Sequence, residues 1–310
     1  MINSFFLAAK SILPLFLVIL IGIFFVRLRV VHRGWVDVLN KYALWIGLPS
    51  LILVAMIRLD FKFGEYANMI LANSGYQIIC TLAAYPISFI FKTSLKTKQS
   101  LFLLLGYGNI SYLGIPLISN ALGTEALPSA ILLSAVYPIW MFSLAIVLIE
   151  LSGHEKVHLT EIFRRLVTNP LLISVFLGII ISGFKIPVQS SLVKTLDLFG
   201  QSVTAVVLLS LGIFLGSQEI GSMKQWWPVL GLSFAIMVLL PGIFYFVAKH
   251  CGMTNLQLRA SIIDAAMPMG LTAYAMTEQY QLNALLTGRL VILSTVLAAV
   301  IIPAWIVFTA

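Results

Sequence analysis

Ten stretches dominated by apolar residues run through this chain, at roughly 5–26, 38–57, 66–91, 100–121, 127–150, 169–184, 190–216, 226–248, 256–277 and 285–308, parted by short polar or Gly/Pro-bearing breaks. A helix needs about 20 mainly apolar residues to cross a bilayer. The windows therefore predict an all-α polytopic membrane protein of about ten transmembrane helices, with little chain left for a soluble domain. Composition agrees: 60% of the 310 residues are apolar and 10% are charged, against roughly 45–50% and about 25% in soluble domains. The first window has no basic stretch before it and the basic RLRVVHRG after it, so it reads as a retained span rather than a secretion signal.

In a soluble protein the net charge of +8 would invite a nucleic-acid partner. Here the basic residues report sidedness, because cytoplasmic loops collect Lys and Arg. With the N-terminus outside, the inner loops carry twelve of them: Arg27, Arg29, Arg33, Lys41, Lys92, Lys96, Lys98, Lys156, Arg164, Arg165, Lys224 and Arg289. The outer side carries seven: Lys10, Arg58, Lys62, Lys185, Lys194, Lys249 and Arg259. This bias predicts a multi-pass protein of the cytoplasmic membrane with both termini outside. Cys80 and Cys251 lie far apart in or beside apolar runs, so they read as inert packing residues.

The longest hydrophilic segment, residues 151–168, divides the chain near its middle and is expected to be a cytoplasmic loop. On either side the punctuation repeats. Pro14 and Gly22 in the first window are echoed by Pro170 and Gly178 in the sixth, an offset of 156; YPIW around Pro138 is echoed by IPAW around Pro303, an offset of 165. Five spans is an odd number, so two copies must run in opposite directions. This predicts inverted repeats over 1–150 and 169–310, the plan of many secondary transporters.

In such a plan the binding site lies at Gly/Pro-interrupted spans in matching positions. Span four holds Gly106, Gly108, Asn109, Ser111, Gly114 and Pro116, and span nine holds Asp264, Pro268, Gly270, Thr272 and Tyr274. A break is expected near residues 109–115, where glycines and a proline weaken the helix, with a partner break in span nine. Broken helices expose backbone N–H groups and positive half-helix ends suited to a carboxylate. Asn109, Ser111, Gly114, Pro116, Pro268, Gly270, Thr272 and Tyr274 are thus the candidate substrate-binding residues.

Asp264 is the acidic residue set well inside a predicted span, where a charge costs at least about 2.5–3.5 kcal/mol; it is the candidate for a coupling proton or cation such as sodium. Gln77 and Gln201 are secondary candidates, while Asn40, Asn73 and Thr204 read as interhelical hydrogen-bonding groups. Gly212 and Gly216 form a small-xxx-small pair suited to close helix contact or to a homodimer.

HEKVH at 154–158 matches the zinc-protease pattern H-E-x-x-H, with His154 and His158 as ligands and Glu155 as base. It lies in the charged loop after the helix-unfriendly SG, and no third ligand is evident beyond Glu150 or Glu161, so a membrane metallohydrolase is the alternative reading rather than the first. A channel or sensor on the same fold is another. No Walker motif, dinucleotide fingerprint or G-x-S-x-G is present, so no cofactor, resident metal or enzymatic activity is expected.

The chain resembles the auxin efflux carrier family, in its small bacterial branch of malate or malonate permeases. The resemblance rests on LPLFLVILIG, LNKYALWIGLPSLIL, GNISYLGIPLI, NPLLISVFLGIII, LLSLGIFLG, AAMPMGLTAYAMTEQYQLN and LSTVLAAVIIPAW, in that order along nearly the whole chain. It implies a scaffold of spans one, two, six and seven, and a mobile unit of spans three to five and eight to ten. It also implies crossing broken helices four and nine, organic anion substrates such as dicarboxylates, and dimers through the scaffold. By position, Asn109 and Pro116 match the first crossing and Pro268 the second. The plant members place a proline next to the asparagine of the first crossing, whereas here Ile110 follows Asn109.

Overall fold

The computed structural model describes residues 2–58, 63–153, 158–218 and 226–310, and among these every regular element is a helix. Lys62, His154, Glu155, Lys156 and Lys224 lie outside the described residues. The helices are α1 (Ile2–Arg27), α2 (Gly34–Arg58), α3 (Phe63–Leu82), α4 (Ala84–Ile90), α5 (Leu95–Leu104), α6 (Ile110–Leu122), α7 (Thr124–Ser152), α8 (Leu159–Val167), α9 (Pro170–Gly183), α10 (Ser190–Gly216), α11 (Trp227–Ala248), α12 (Asn255–Ala265), α13 (Leu271–Gln279) and α14 (Ala284–Phe308). Six of them, α1, α2, α7, α10, α11 and α14, are long and apolar enough to cross a bilayer. The pair α8 and α9, bent by 55°, makes a seventh if taken as one span. The remaining apolar windows fold as interrupted pairs: α3 with α4, α5 with α6, and α12 with α13. Large side chains face outward, Phe89 and Phe184 being 84% and 80% exposed, as expected of a chain whose surroundings are lipid.

Prolines set the local irregularities. A proline has no N–H for the carbonyl four residues earlier, and one wide turn can absorb that missing bond. Pro49, Pro116 and Pro241 each follow a π-helical turn, at Ala43–Gly47, Ile110–Gly114 and Ala235–Leu239. The carbonyl left free by Pro241 is that of Met237, and it accepts the Trp305 indole N–H at 2.8 Å. The IPAW tryptophan therefore locks α14 to α11.

Four helices pack along their lengths through glycines. α1 lies along α10, and a Cβ on Gly22 would come within 2.6 Å of the Leu209 carbonyl oxygen and 2.9 Å of the Gly212 Cα. α9 lies along α2, where Gly178 faces Met56, and α10 crosses α2 with Gly200 against Leu51 and Gly47 against Val203. Gly212 and Gly216 face Ile19 and Ile23 of α1 in the same chain. The expected role of this pair in a dimer is therefore corrected: its face is already covered.

Two further expectations change. Residues 151–168 were expected as loop, yet they contain α8, tied by an Arg165–Glu161 ion pair at 2.5 Å and packed through the buried Ile162. The first break falls at 105–109, earlier than 109–115, because the helix resumes at Ile110 as the π-helical turn that accommodates Pro116.

Candidate functional site

The two interrupted pairs meet at their gaps. α5 ends at Leu104 and α6 begins at Ile110, while α12 ends at Ala265 and α13 begins at Leu271. Across the gaps Gly108 pairs with Met269 as an antiparallel bridge, and the Asn109 N–H donates to the Pro268 carbonyl at 2.6 Å. Glycine is required for this approach. A Cβ on Gly108 would meet Met267 Cβ at 2.9 Å, and one on Gly270 would meet the Gly108 carbonyl oxygen at 3.1 Å. The Met269 N–H is held by Ser294 Oγ at 2.9 Å, which anchors the crossing to α14.

Around the crossing, polar atoms are buried without partners. Asp264 and Gln77 are each 4% exposed, and neither Asp264 Oδ1 nor Gln77 Oε1 has a hydrogen-bond donor. Asn109 is equally buried, and its Nδ2 has no acceptor. An unsatisfied buried polar group costs about 1–3 kcal/mol, so at these atoms the fold leaves its polar demand unmet. A cavity of about 10 Å³, near the lower limit for one water, is lined by Gln77, Leu105, Gly106, Asp264, Ala265 and Met267, among others.

The structure brings Asn109, Pro268, Gly270, Gly114, Asp264 and Gln77 into one neighbourhood. Gly114 borders Asp264, a Cβ there lying 3.7 Å from Oδ1, and Gly106 borders Gln77, at 3.0 Å from Oε1. Ser111 and Thr272 are half-buried on the first turns of α6 and α13. Pro116 is buried beyond the crossing, and its carbonyl accepts from Asn120 Nδ2 at 2.7 Å. Two candidates lie elsewhere. The Tyr274 hydroxyl donates to Glu278 at 2.6 Å and accepts from Arg33 at 3.1 Å. Gln201 is exposed and donates to Asp197 at 3.2 Å. Asn40 and Asn73 make interhelical bonds as expected, with Ser210 and Ser261.

Sequence reasoning missed Ser294, Thr81, Tyr107 and Tyr137. Thr81 sits four residues after Gln77, hence on the same helix face, and donates to the Tyr107 hydroxyl at 3.2 Å. Tyr107 and Tyr137 pack edge to face with ring centres 5.1 Å apart. The i, i+4 spacing of Gln77 and Thr81 in an apolar window is the signal that could have found that face.

A second cavity, of about 540 Å³, opens between α2, α10, α3 and α7, beside Arg58, Asp197, Tyr66 and Glu125. Arg58 pairs with Asp197 at 3.2 Å, joining α2 to α10. The zinc-protease pattern finds no support in what is described of it: His158 is the non-helical residue before α8, and its N–H donates to Glu150. Among the described residues no three His, Cys, Asp or Glu side chains cluster to hold a metal.

Residues 7–306 match the family model described as membrane transport protein. A protein of Methanothermobacter thermautotrophicus named an "uncharacterized transporter" is 25% identical over 96% of this chain and 97% of its own length. One of Rhizobium meliloti, named "putative malonate transporter", is 23% identical over 87% of this chain and 85% of its own. A rice protein named "probable auxin efflux carrier component 3b" is 26% identical over 45% of this chain and 24% of its own. Matched by that model over almost its whole length, the chain belongs to the membrane transport protein family, whose members are membrane transporters of the auxin efflux carrier type.

Proposed function

We propose that the protein is a secondary carrier that moves a small organic anion, such as a dicarboxylate, across the cytoplasmic membrane by alternating access, with the crossing as its binding site. The observation that carries this reading is the backbone contact between the two gaps, Asn109 N–H to Pro268 carbonyl. It gathers two half-helix N-termini, those of α6 and α13, where unpaired N–H groups and the helix dipole favour an anion. Asn109 Nδ2, a donor without an acceptor, faces the same need. Asn109, Ser111, Gly114, Pro268, Gly270 and Thr272 line or shape this site, Pro116 sets the geometry of α6, and Asp264 with Gln77 forms its ion-coupling side. The malonate named for the R. meliloti relative supports a dicarboxylate.

Ten spans in two inverted repeats, 1–150 and 169–310 joined by 151–168, fit the same features. The ends of α5 and α12, the starts of α6 and α13, and the bridged Gly108 and Met269 are each 161 residues apart, between the offsets of 156 and 165 already present in the sequence. The swapped contacts of α1 with α10 and of α9 with α2 are what a two-fold relation produces. In this reading both termini are outside, and a homodimer through the frame helices uses outward residues of α1 such as Leu13, Leu17 and Phe24. The tight crossing supports a carrier over an open channel.

The test is uptake of labelled mono- and dicarboxylates into proteoliposomes. Saturable uptake of a carboxylate by the wild type, lost in Asn109→Ala, is expected. If no carboxylate moves, or if Asn109→Ala transports as the wild type does, the reading fails.

A further inference from the structure

Of the orphaned atoms at the crossing, the two acceptors belong together. Gln77 and Asp264 line one cavity of about 10 Å³, and neither gives the other a donor. Asp264 makes no ion pair among the described residues, so its charge has no counterpart in the surrounding protein. The rest of the cavity wall includes Leu104, Leu105 and Gly106 at the end of α5, and Ala265 at the end of α12. Helix ends of this kind carry carbonyls without N–H partners and the negative pole of the helix dipole. The wall also holds Tyr76, whose hydroxyl donates to the Ala265 carbonyl at 3.4 Å, Tyr107, and Ile110 at the start of α6, yet none of these gives a hydrogen bond to Asp264 Oδ1 or Gln77 Oε1, which remain two acceptors without a donor.

Hard cations take oxygen ligands, and broken-helix transporters place coupling ions at half-helix C-termini and unwound carbonyls. A divalent ion would call for more carboxylates than the one present. The volume suits a small monovalent ion. We infer that the cavity between Gln77 and Asp264 is a sodium site, filled by Na⁺ through the Asp264 carboxylate, the Gln77 amide oxygen and carbonyls at the ends of α5 and α12. The site rests on the reading of the crossing as a transport centre and makes this protein a sodium-coupled carrier. Bound Na⁺ places a positive charge beside Gly114 and the start of α6, which raises the affinity of the neighbouring anion site.

The decisive residue is Gln77, because it does not titrate. The full-length protein is purified in detergent, and its thermal unfolding is followed while NaCl replaces KCl or choline chloride at constant ionic strength and pH. A saturable, sodium-specific rise in Tm is expected for the wild type. Losing one ligand in Gln77→Ala should raise the half-saturating sodium concentration at least about tenfold, and Asp264→Asn should abolish the response. If Asp264→Asn does not fold, Gln77→Ala and the shorter Gln77→Asn decide. No sodium-specific response in the wild type, or one that Gln77→Ala leaves unchanged, overturns the site; so does a response that follows pH alone, which would make Asp264 a proton carrier. The anion reading is tested apart: carboxylate uptake that persists without sodium removes only this inference, whereas sodium binding without carboxylate uptake removes only the anion.

Discussion

The frame formed by α1, α2, α9 and α10 and the crossing formed by α5, α6, α12 and α13 use the same residue, glycine, to opposite ends. In the frame, glycines let continuous helices touch along their length, Gly22 on Gly212 and Gly178 on Met56. Most backbone groups there are bonded within their own helix, so close approach adds van der Waals contact at little polar cost. At the crossing, glycines let broken helices touch end to end, and side-chain donors and acceptors buried around them stay unpaired. Close packing serves stability in one region. In the other it holds open a set of unmet polar demands, which is what a binding site requires.

The sharpest way to break this comparison is to add a side chain to the frame. Gly212→Leu, forced against the main chain of Ile19 and Gly22, should leave no monodisperse protein on size exclusion. Gly212→Ala should fold with a lowered Tm, overpacking costing about 1–3 kcal/mol. The matching change at the crossing, Gly270→Ala, should spare Tm far more while cutting carboxylate uptake at least about tenfold, since near-backbone misplacement at a working site costs heavily. Equal losses of Tm in Gly212→Ala and Gly270→Ala, with uptake intact in the second, would sink the distinction.

Asn109→Ala sharpens it with opposite signs. Its Nδ2 has no acceptor to lose, so Tm without substrate should hold or rise. Anion affinity should fall by about 1.5–3 kcal/mol, the worth of a hydrogen bond to a charged group, read from the substrate concentration needed for half-maximal uptake. The smallest effect is expected at the exposed contact between the two regions, where Arg33 precedes α2 and Glu278 stands on α13. Arg33→Gln removes an exposed contact to Glu278 at 3.6 Å, and pairs of this kind contribute about 0.2–1 kcal/mol. A Tm change beyond a few degrees, or one insensitive to salt, would show that the cluster is more than a surface pair.

What the sequence could reveal followed from the physics of each feature. The helices of the frame were legible as apolar windows, and Gly212 with Gly216 as a contact pair, whereas the grouping of the four helices came from the family resemblance alone. The breaks were legible in kind but displaced in place. Pro116 suggested the gap, yet its missing bond is absorbed by the turn Ile110–Gly114, and the gap opens where Gly108 permits the backbone at Met267 to approach. α8 was hidden because LTEIFRRLV is short and charged, and only Ile162 meets the protein interior. Tyr274 left the candidate site because Arg33, 241 residues away, claims its hydroxyl, and no spacing rule encodes a contact of that range. Gln77 and Gln201 look alike in their windows. Gln77 lies on α3 beside Gly106 of the crossing, whereas Gln201 lies on α10 and bonds Asp197 one turn earlier in its own helix.

The bond between Asn109 and Pro268 joins main chain to main chain, and so it is invisible to ordinary mutagenesis. Proline at residue 109 is the one exchange that deletes it, and it takes the Asn109 side chain and the freedom of φ with it, while Pro268 contributes its carbonyl whatever residue stands there. Genetic screens for loss of transport should therefore recover the glycines that admit the contact and the side chains at the crossing, and not the contact in isolation. Reaching it takes chemistry on the backbone, an ester in place of the amide at residue 109, which keeps every side chain and removes one hydrogen.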